Sequence, residues 1–88
     1  MIERKVKIKN KAGLHTRPAA TIVKLAAKYE CEFFISRDGM HINGKSIIGV
    51  MTLAAEENAE LILTFEGPDE EDAAKEICGF FDNGFGEL

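Results

Sequence analysis

The sequence predicts an α+β fold in which strands and helices follow one another as βαββαβα. Three observations predict it. Near the start, Ile2, Val6 and Ile8 alternate with charged residues, the period of a strand buried on one face. Three later stretches repeat apolar residues at helical spacing, so each can bury one side. Between the first two of them lies Asp38-Gly39, a strong hairpin signal, which makes the sheet at least partly antiparallel. Amphipathic helices would then cover one face of that sheet.

The first strand ends at Asn10-Lys11-Ala12-Gly13, which breaks the alternation and reads as a loop. Pro18 sits where a helix can begin, because its missing N–H costs nothing in the first position. Ala19, Ile22, Val23 and Ala26 give that helix its apolar stripe, with Lys24 and Lys28 on other faces. Glu32-Phe33-Phe34-Ile35-Ser36 reads as the second strand, and Met40-His41-Ile42 as the short strand returning from the turn. Asn43-Gly44 closes the hairpin, and Ser46 is placed to cap a second helix with a stripe of Ile47, Val50, Met51 and Ala54, ended by Asn58. Leu61 to Phe65 form the fourth strand, bounded by Gly67-Pro68. Asp69 is placed to cap a last helix, with Glu70, Glu71 and Asp72 at the positive end of its dipole. Ala73, Ala74, Ile77, Cys78 and Phe81 line its buried side, and Gly84-Phe85-Gly86 is expected to fray.

Eighty-eight residues correspond to one domain, 1–88, with no linker or internal repeat. Hydrophobic content of 45% with 30% charged residues is that of a globular chain. No apolar run approaches the ~20 residues that span a bilayer, and Glu3, Arg4 and Lys5 interrupt any signal-peptide core. A cytoplasmic protein is expected. Cys31 and Cys78 form no CxxC pair, so they read as buried reduced thiols, not as metal ligands or a disulfide framework. No metal or cofactor is implied.

The net charge of −4 conceals a division along the chain. Residues 1–28 hold eight Lys or Arg and one acid, a charge of +7, and residues 29–88 carry −11. A basic face on an acidic protein fits an anionic group or an acidic protein surface as partner. Nucleic acid fits less well, since the pI is near 5.1 and no aromatic residue interleaves the early basic run. A solvated strand face accounts for Lys5, Lys7 and Lys9, but not for Arg17.

The stretch that can do chemistry is Gly13-Leu14-His15-Thr16-Arg17-Pro18-Ala19. It sets an imidazole just before a helix whose first N–H groups lack internal partners. Those groups and the helix dipole favour an anion, phosphate above all, and they favour the neutral, nucleophilic imidazole. Arg17 adds a planar fork of donors for phosphate oxygens. A single histidine before a helix is ordinarily a polar surface residue. The combination of His, Arg and Pro in four residues supplies nucleophile, anion site and counter-charge together. No general base or metal set accompanies them, so hydrolysis is poorly supported.

This stretch resembles the active-site signature of the HPr family, the histidine-containing phosphocarriers of the bacterial phosphoenolpyruvate-dependent phosphotransferase system. Lys45-Ser46-Ile47-Ile48-Gly49-Val50-Met51 resembles that family's second signature, around a regulatory serine. Chain length, spacing and element order agree, so the resemblance covers essentially the whole chain. It implies an open-faced sandwich, a four-stranded antiparallel sheet covered on one face by three helices. It implies a carrier, not an enzyme with its own turnover, that accepts a phosphoryl group from enzyme I on Nδ1 of His15 and passes it to a IIA-type domain. Thr16, through its backbone N–H, and Arg17 would hold that group. Ile47, Ile48, Met51 and Lys24 would belong to the docking surface, although Ile47 and Val50 could equally be core. Phosphorylation of Ser46 by a kinase, reversed by a phosphatase, would control docking or binding to a transcription factor.

The chain departs from the pattern at Thr16, where alanine is common, at Ile48, where methionine is frequent, and at Ala54, where many members have glycine. Glu56-Glu57 brings acid to a loop that is often basic or neutral. These changes bear on partner choice more than on His15. His41 belongs to neither signature and reads as strand surface. A regulatory adaptor governed by Ser46 is the competing reading, but it would not need the His15 nucleophile. A βαββαβ domain of the acylphosphatase or metal-chaperone kind would need a phosphate loop beside an early arginine, or a CxxC pair.

Overall fold

The computed structural model describes residues 1–87. Its elements are β1 (Ile2–Lys7), α1 (Thr16–Ala27), β2 (Glu32–Arg37), β3 (Met40–Asn43), α2 (Ile47–Thr52), β4 (Glu60–Glu66) and α3 (Glu70–Asp82), followed by a 3-10 turn over Gly84–Gly86. The strands form one sheet in the order β1-β4-β2-β3 with every neighbouring pair antiparallel. Three helices cover one face, as expected.

Strand alternation decides which face is covered. Val6, Phe33, Ile35, Leu61, Leu63 and Phe65 point to the helices and are buried. Their neighbours Lys5, Lys7, Glu60 and Glu32 lie on the opposite, exposed face. The central register pairs Phe33 with Phe65, whose rings stack with centroids 4.9 Å apart. From the helices, Ala19, Ile22, Ala26, Val50, Ala73, Ile77 and Phe81 complete the core. Asp38 and Gly39 both have positive φ, 45° and 84°, as a tight two-residue hairpin turn requires.

Several boundaries differ from the sequence expectation. Helix α1 starts two residues earlier than Pro18, which therefore takes the third helical position, where an N–H would also be unpartnered. Helix α2 ends at Thr52, so neither Ala54 nor Asn58 belongs to it or ends it. Both have positive φ, 46° and 74°, which turns the chain toward β4. Asp69 stands at the start of α3 but does not cap it with its side chain. Its carboxylate accepts instead from the N–H groups of Glu30 and Cys31, at 2.8 and 2.9 Å, and ties α3 to the α1–β2 loop. Those donors hold the Asp69 carboxyl below its ordinary pKa. Cys31 is buried but Cys78 only half-buried, and burial pushes both thiols up.

The largest difference is the end of the chain. Gly84-Phe85-Gly86 does not fray: Phe85 is 7% exposed and packs on Phe80 and Phe81 with ring centroids 5.1 Å away. An aromatic side chain buried this far outweighs the disorder expected of a glycine-rich terminus.

Candidate functional site

The loop that carries His15 is fixed by a close backbone approach. Gly13 has φ +73°, and a Cβ there would lie 2.5 Å from the carbonyl oxygen of Ala55. Only glycine fits that space. The same carbonyl accepts the Leu14 N–H at 2.9 Å, and the Leu14 side chain is buried in the core. The loop also closes on itself, since the Gly13 N–H donates to the Asn10 carbonyl. The buried Asn10 side chain donates through Nδ2 to the Gly13 carbonyl at 2.9 Å.

His15 is the residue that caps α1 by position, with extended backbone and no capping bond from its ring. Its carbonyl accepts the Ala19 N–H, and Pro18 has none to give. The N–H groups of Thr16 and Arg17 are thus the pair left without an intrahelical acceptor. Both residues are exposed. The sequence reading placed nucleophile, N–H groups and guanidinium in one short stretch, and the fold presents that stretch at the surface.

Glu87 is a site residue that the sequence reading missed. Its carboxylate contacts His15 Nε2, with Oε2 at 2.8 Å and Oε1 at 3.1 Å, while Asn10 Nδ2 donates to Oε1 at 2.8 Å. The Asn10 amide, which outweighs the opposing effect of burial, and after it the His15 ring hold the Glu87 carboxyl below its ordinary pKa. A carboxylate accepts only, so Nε2 must carry the proton in the neutral ring. The lone pair is then on Nδ1, which makes no hydrogen bond among the described residues. The imidazole remains 40% exposed, open enough for a partner to reach it. No signal in the sequence marks Glu87, apart from Phe85 two residues earlier, which can anchor the end of the chain.

Ser46 caps α2 as expected, its Oγ accepting the Gly49 N–H at 3.2 Å. Of the residues that could be either core or surface, Val50 is core and Ile47 is not: Ile47, Ile48 and Met51 are 39%, 74% and 39% exposed. Lys24 is exposed in the last turn of α1, and α1 and α2 pack side by side. No helix among the described residues is long and apolar enough to cross a membrane.

Comparison with known proteins agrees with this geometry. Residues 2–83 match the family model described as the PTS HPr component phosphorylation site. The chain is 44% identical to the phosphocarrier protein HPr of Treponema pallidum over 87 residues, covering 99% of each chain. It is 36% identical to the HPr-like protein Crh of Bacillus subtilis, over 91% of this chain and 94% of that one. The structure of HPr from Thermoanaerobacter tengcongensis superposes with a TM-score of 0.95 at 40% identity, covering 100% of this chain and 99% of the other. The chain therefore belongs to the HPr family of phosphocarrier proteins.

Proposed function

We propose that Nδ1 of His15 is the atom that carries the phosphoryl group. The observation that carries this reading is the Glu87 contact, which occupies Nε2 and leaves the other ring nitrogen with its lone pair. That lone pair attacks phosphorus as the bond to the donor breaks, and the donor keeps the bonding electrons. The unpartnered N–H groups of Thr16 and Arg17 and the Arg17 guanidinium then face an anion instead of water. Enzyme I, charged by phosphoenolpyruvate, is the donor and a IIA-type domain the acceptor, with the single domain 1–88 acting in the cytoplasm as a covalent intermediate. Ile47, Ile48 and Met51 on α2, with the exposed Lys24 on α1, form the docking surface: exposed apolar side chains grouped on one short helix mark a contact site.

Incubation with phosphoenolpyruvate and enzyme I should add one phosphoryl group to the intact mass, labile to acid and stable to alkali. His15→Ala should take up none. Uptake by that variant, on His41 for instance, would refute the assignment.

A second reading concerns Ser46, and rests on its place at the start of α2 directly before Ile47 and Ile48. A phosphate on Ser46 adds a charge of roughly −1.5 to −2 beside the docking surface. A Ser46 kinase and phosphatase, and a transcription factor that reads the modified form, complete this regulatory reading. The likeness to Crh, whose solution structure is that of the Bacillus subtilis catabolite repression HPr, supports it. Ser46→Asp keeps a good cap, so it should stay folded yet accept phosphate more slowly at low salt. Equal acceptance would leave Ser46 as a cap alone.

A further inference from the structure

Arg37 ends β2, yet its side chain is only 18% exposed. A guanidinium is costly to bury without partners, so what it touches matters. Its Nη1 donates to the Leu53 carbonyl at 3.2 Å and reaches the Ala54 carbonyl at 3.5 Å. Its Nη2 donates to the Glu56 carboxylate at 2.6 Å, while Nε lies 3.3 Å from Asp38. One side chain thus grips both ends of the segment 53–56 that leaves α2. Within that segment Ala54 holds φ 46°, a conformation a residue with a Cβ adopts only when its surroundings impose it. Between the gripped positions stands the carbonyl of Ala55, which accepts the Leu14 N–H and against which Gly13 is packed.

We propose that Arg37 is a positioning residue for His15, fixing through Leu53 and Glu56 the Ala55 carbonyl on which the Gly13-Leu14 backbone is laid. It touches no reacting atom. The path runs from the guanidinium to the 53–56 segment, then through the Leu14 N–H to the neighbouring imidazole. The inference rests on the reading of His15 as phosphoryl acceptor. A competing role is also available, because a cation at the C-terminus of α2 satisfies carbonyls that no helical N–H reaches. A cap of that kind raises stability without acting on residue 14 in particular.

The two roles separate in native-state amide exchange of Arg37→Met and Arg37→Lys, read at Leu14 and, as a core reference, at Leu63 in β4. In Arg37→Met the Leu14 amide should exchange about tenfold faster relative to Leu63, the scale set by one hydrogen bond. Arg37→Lys should recover part of that loss, because an ammonium reaches one carbonyl but lacks the fork. Phosphoryl acceptance from enzyme I by Arg37→Met should fall in kcat with little change in KM, since Ile47, Ile48 and Met51 keep their exposure. Parallel changes at Leu14 and Leu63, or no change at Leu14, would overturn the proposal and leave Arg37 as a cap. Should Arg37→Met not fold, Arg37→Lys decides alone, with about threefold faster exchange at Leu14 and none at Leu63 expected. The exchange measurement needs no phosphoryl donor. Failure of the wild type to accept phosphate would therefore count against the His15 reading and not against the Arg37–Leu14 coupling.

Discussion

Replacing Gly13 with alanine tests the close approach on which the His15 loop depends. Two costs follow from the geometry. At φ +73° an L-residue loses about 1–2 kcal/mol relative to glycine. The new Cβ would also stand 2.5 Å from the Ala55 carbonyl oxygen and 3.2 Å from the Glu56 Cα, both backbone atoms that cannot rotate aside. Relieving that overlap means moving a carbonyl that holds the Leu14 N–H, a penalty of about 1–3 kcal/mol. Alanine restricts the unfolded chain and returns about 0.4–1 kcal/mol. A net loss of about 2–3 kcal/mol is expected, a fall in Tm on the order of 10–20 °C for a domain of this size. Gly39→Ala is the internal control, because Gly39 has φ +84° but no atom within 4 Å of the added Cβ. It should show the backbone cost alone, about 1 kcal/mol. Urea unfolding followed by circular dichroism gives both values. If Gly13→Ala loses no more than Gly39→Ala, the contact with Ala55 does not constrain the loop and the account of His15 placement fails.

Three further outcomes are expected. Phe85→Ala should lose about 2–4 kcal/mol in urea unfolding, since it vacates the space beside Phe80 and Phe81, and the His15 ring resonances should shift as Glu87 loosens; a loss below ~0.5 kcal/mol would show that the turn is not packed. Ala54→Gly should gain about 0.5–1 kcal/mol, because glycine relieves the φ of 46° at the cost of more freedom when unfolded; a lower Tm would contradict this. Glu87 has a depressed native pKa, so its stabilising effect is complete above the ordinary value of 4.5 and fades as pH falls through the lower native one. Acid unfolding of Glu87→Gln should lack that component, and acid limbs that coincide with wild type would show that the carboxylate contacts add nothing.

Element order was legible in the sequence because it depends on local period and turn chemistry. The strand alternation at Ile2, Val6 and Ile8, the Asp38-Gly39 turn and the capping role of Ser46 each depend on a few consecutive residues. Helix ends were less legible. The apolar stripe predicts α2 to Ala54, but the helix stops at Thr52, because the backbone there must turn to β4 and a positive φ does not show in an alanine. Of the site, the stretch 13–19 could be read because its chemistry is contiguous. Asn10, Arg37 and Glu87 could not. Each acts on a partner distant in sequence, as Glu87 does on His15 across 72 residues, and none belongs to a periodic pattern. Asp69 failed for the same reason: a good capping residue by type, it is used by the loop at Glu30 and Cys31 instead.

The site is assembled from three pieces of chain, residues 10–17, 53–56 and 84–87, and each is held by polar contacts to another. The imidazole lies 40% exposed; the structure fixes its backbone, occupies one of its nitrogens and leaves the other without a hydrogen bond among the described residues. That division suits a carrier. An enzyme that turns over gains from enclosing its substrate and stabilising one transition state above all else. A carrier must release to one partner what it took from another, so donors that bind the phosphoryl group too well would slow the second step. Two N–H groups at a helix start and one exposed guanidinium are a modest set. The remaining groups that complete the transfer site can then come from the protein that docks. On the proposed reading the scaffold supplies direction more than affinity. By the same proposal Glu87 selects the nitrogen, the 53–56 segment fixes its position, and the exposed side chains of α2 select the partner.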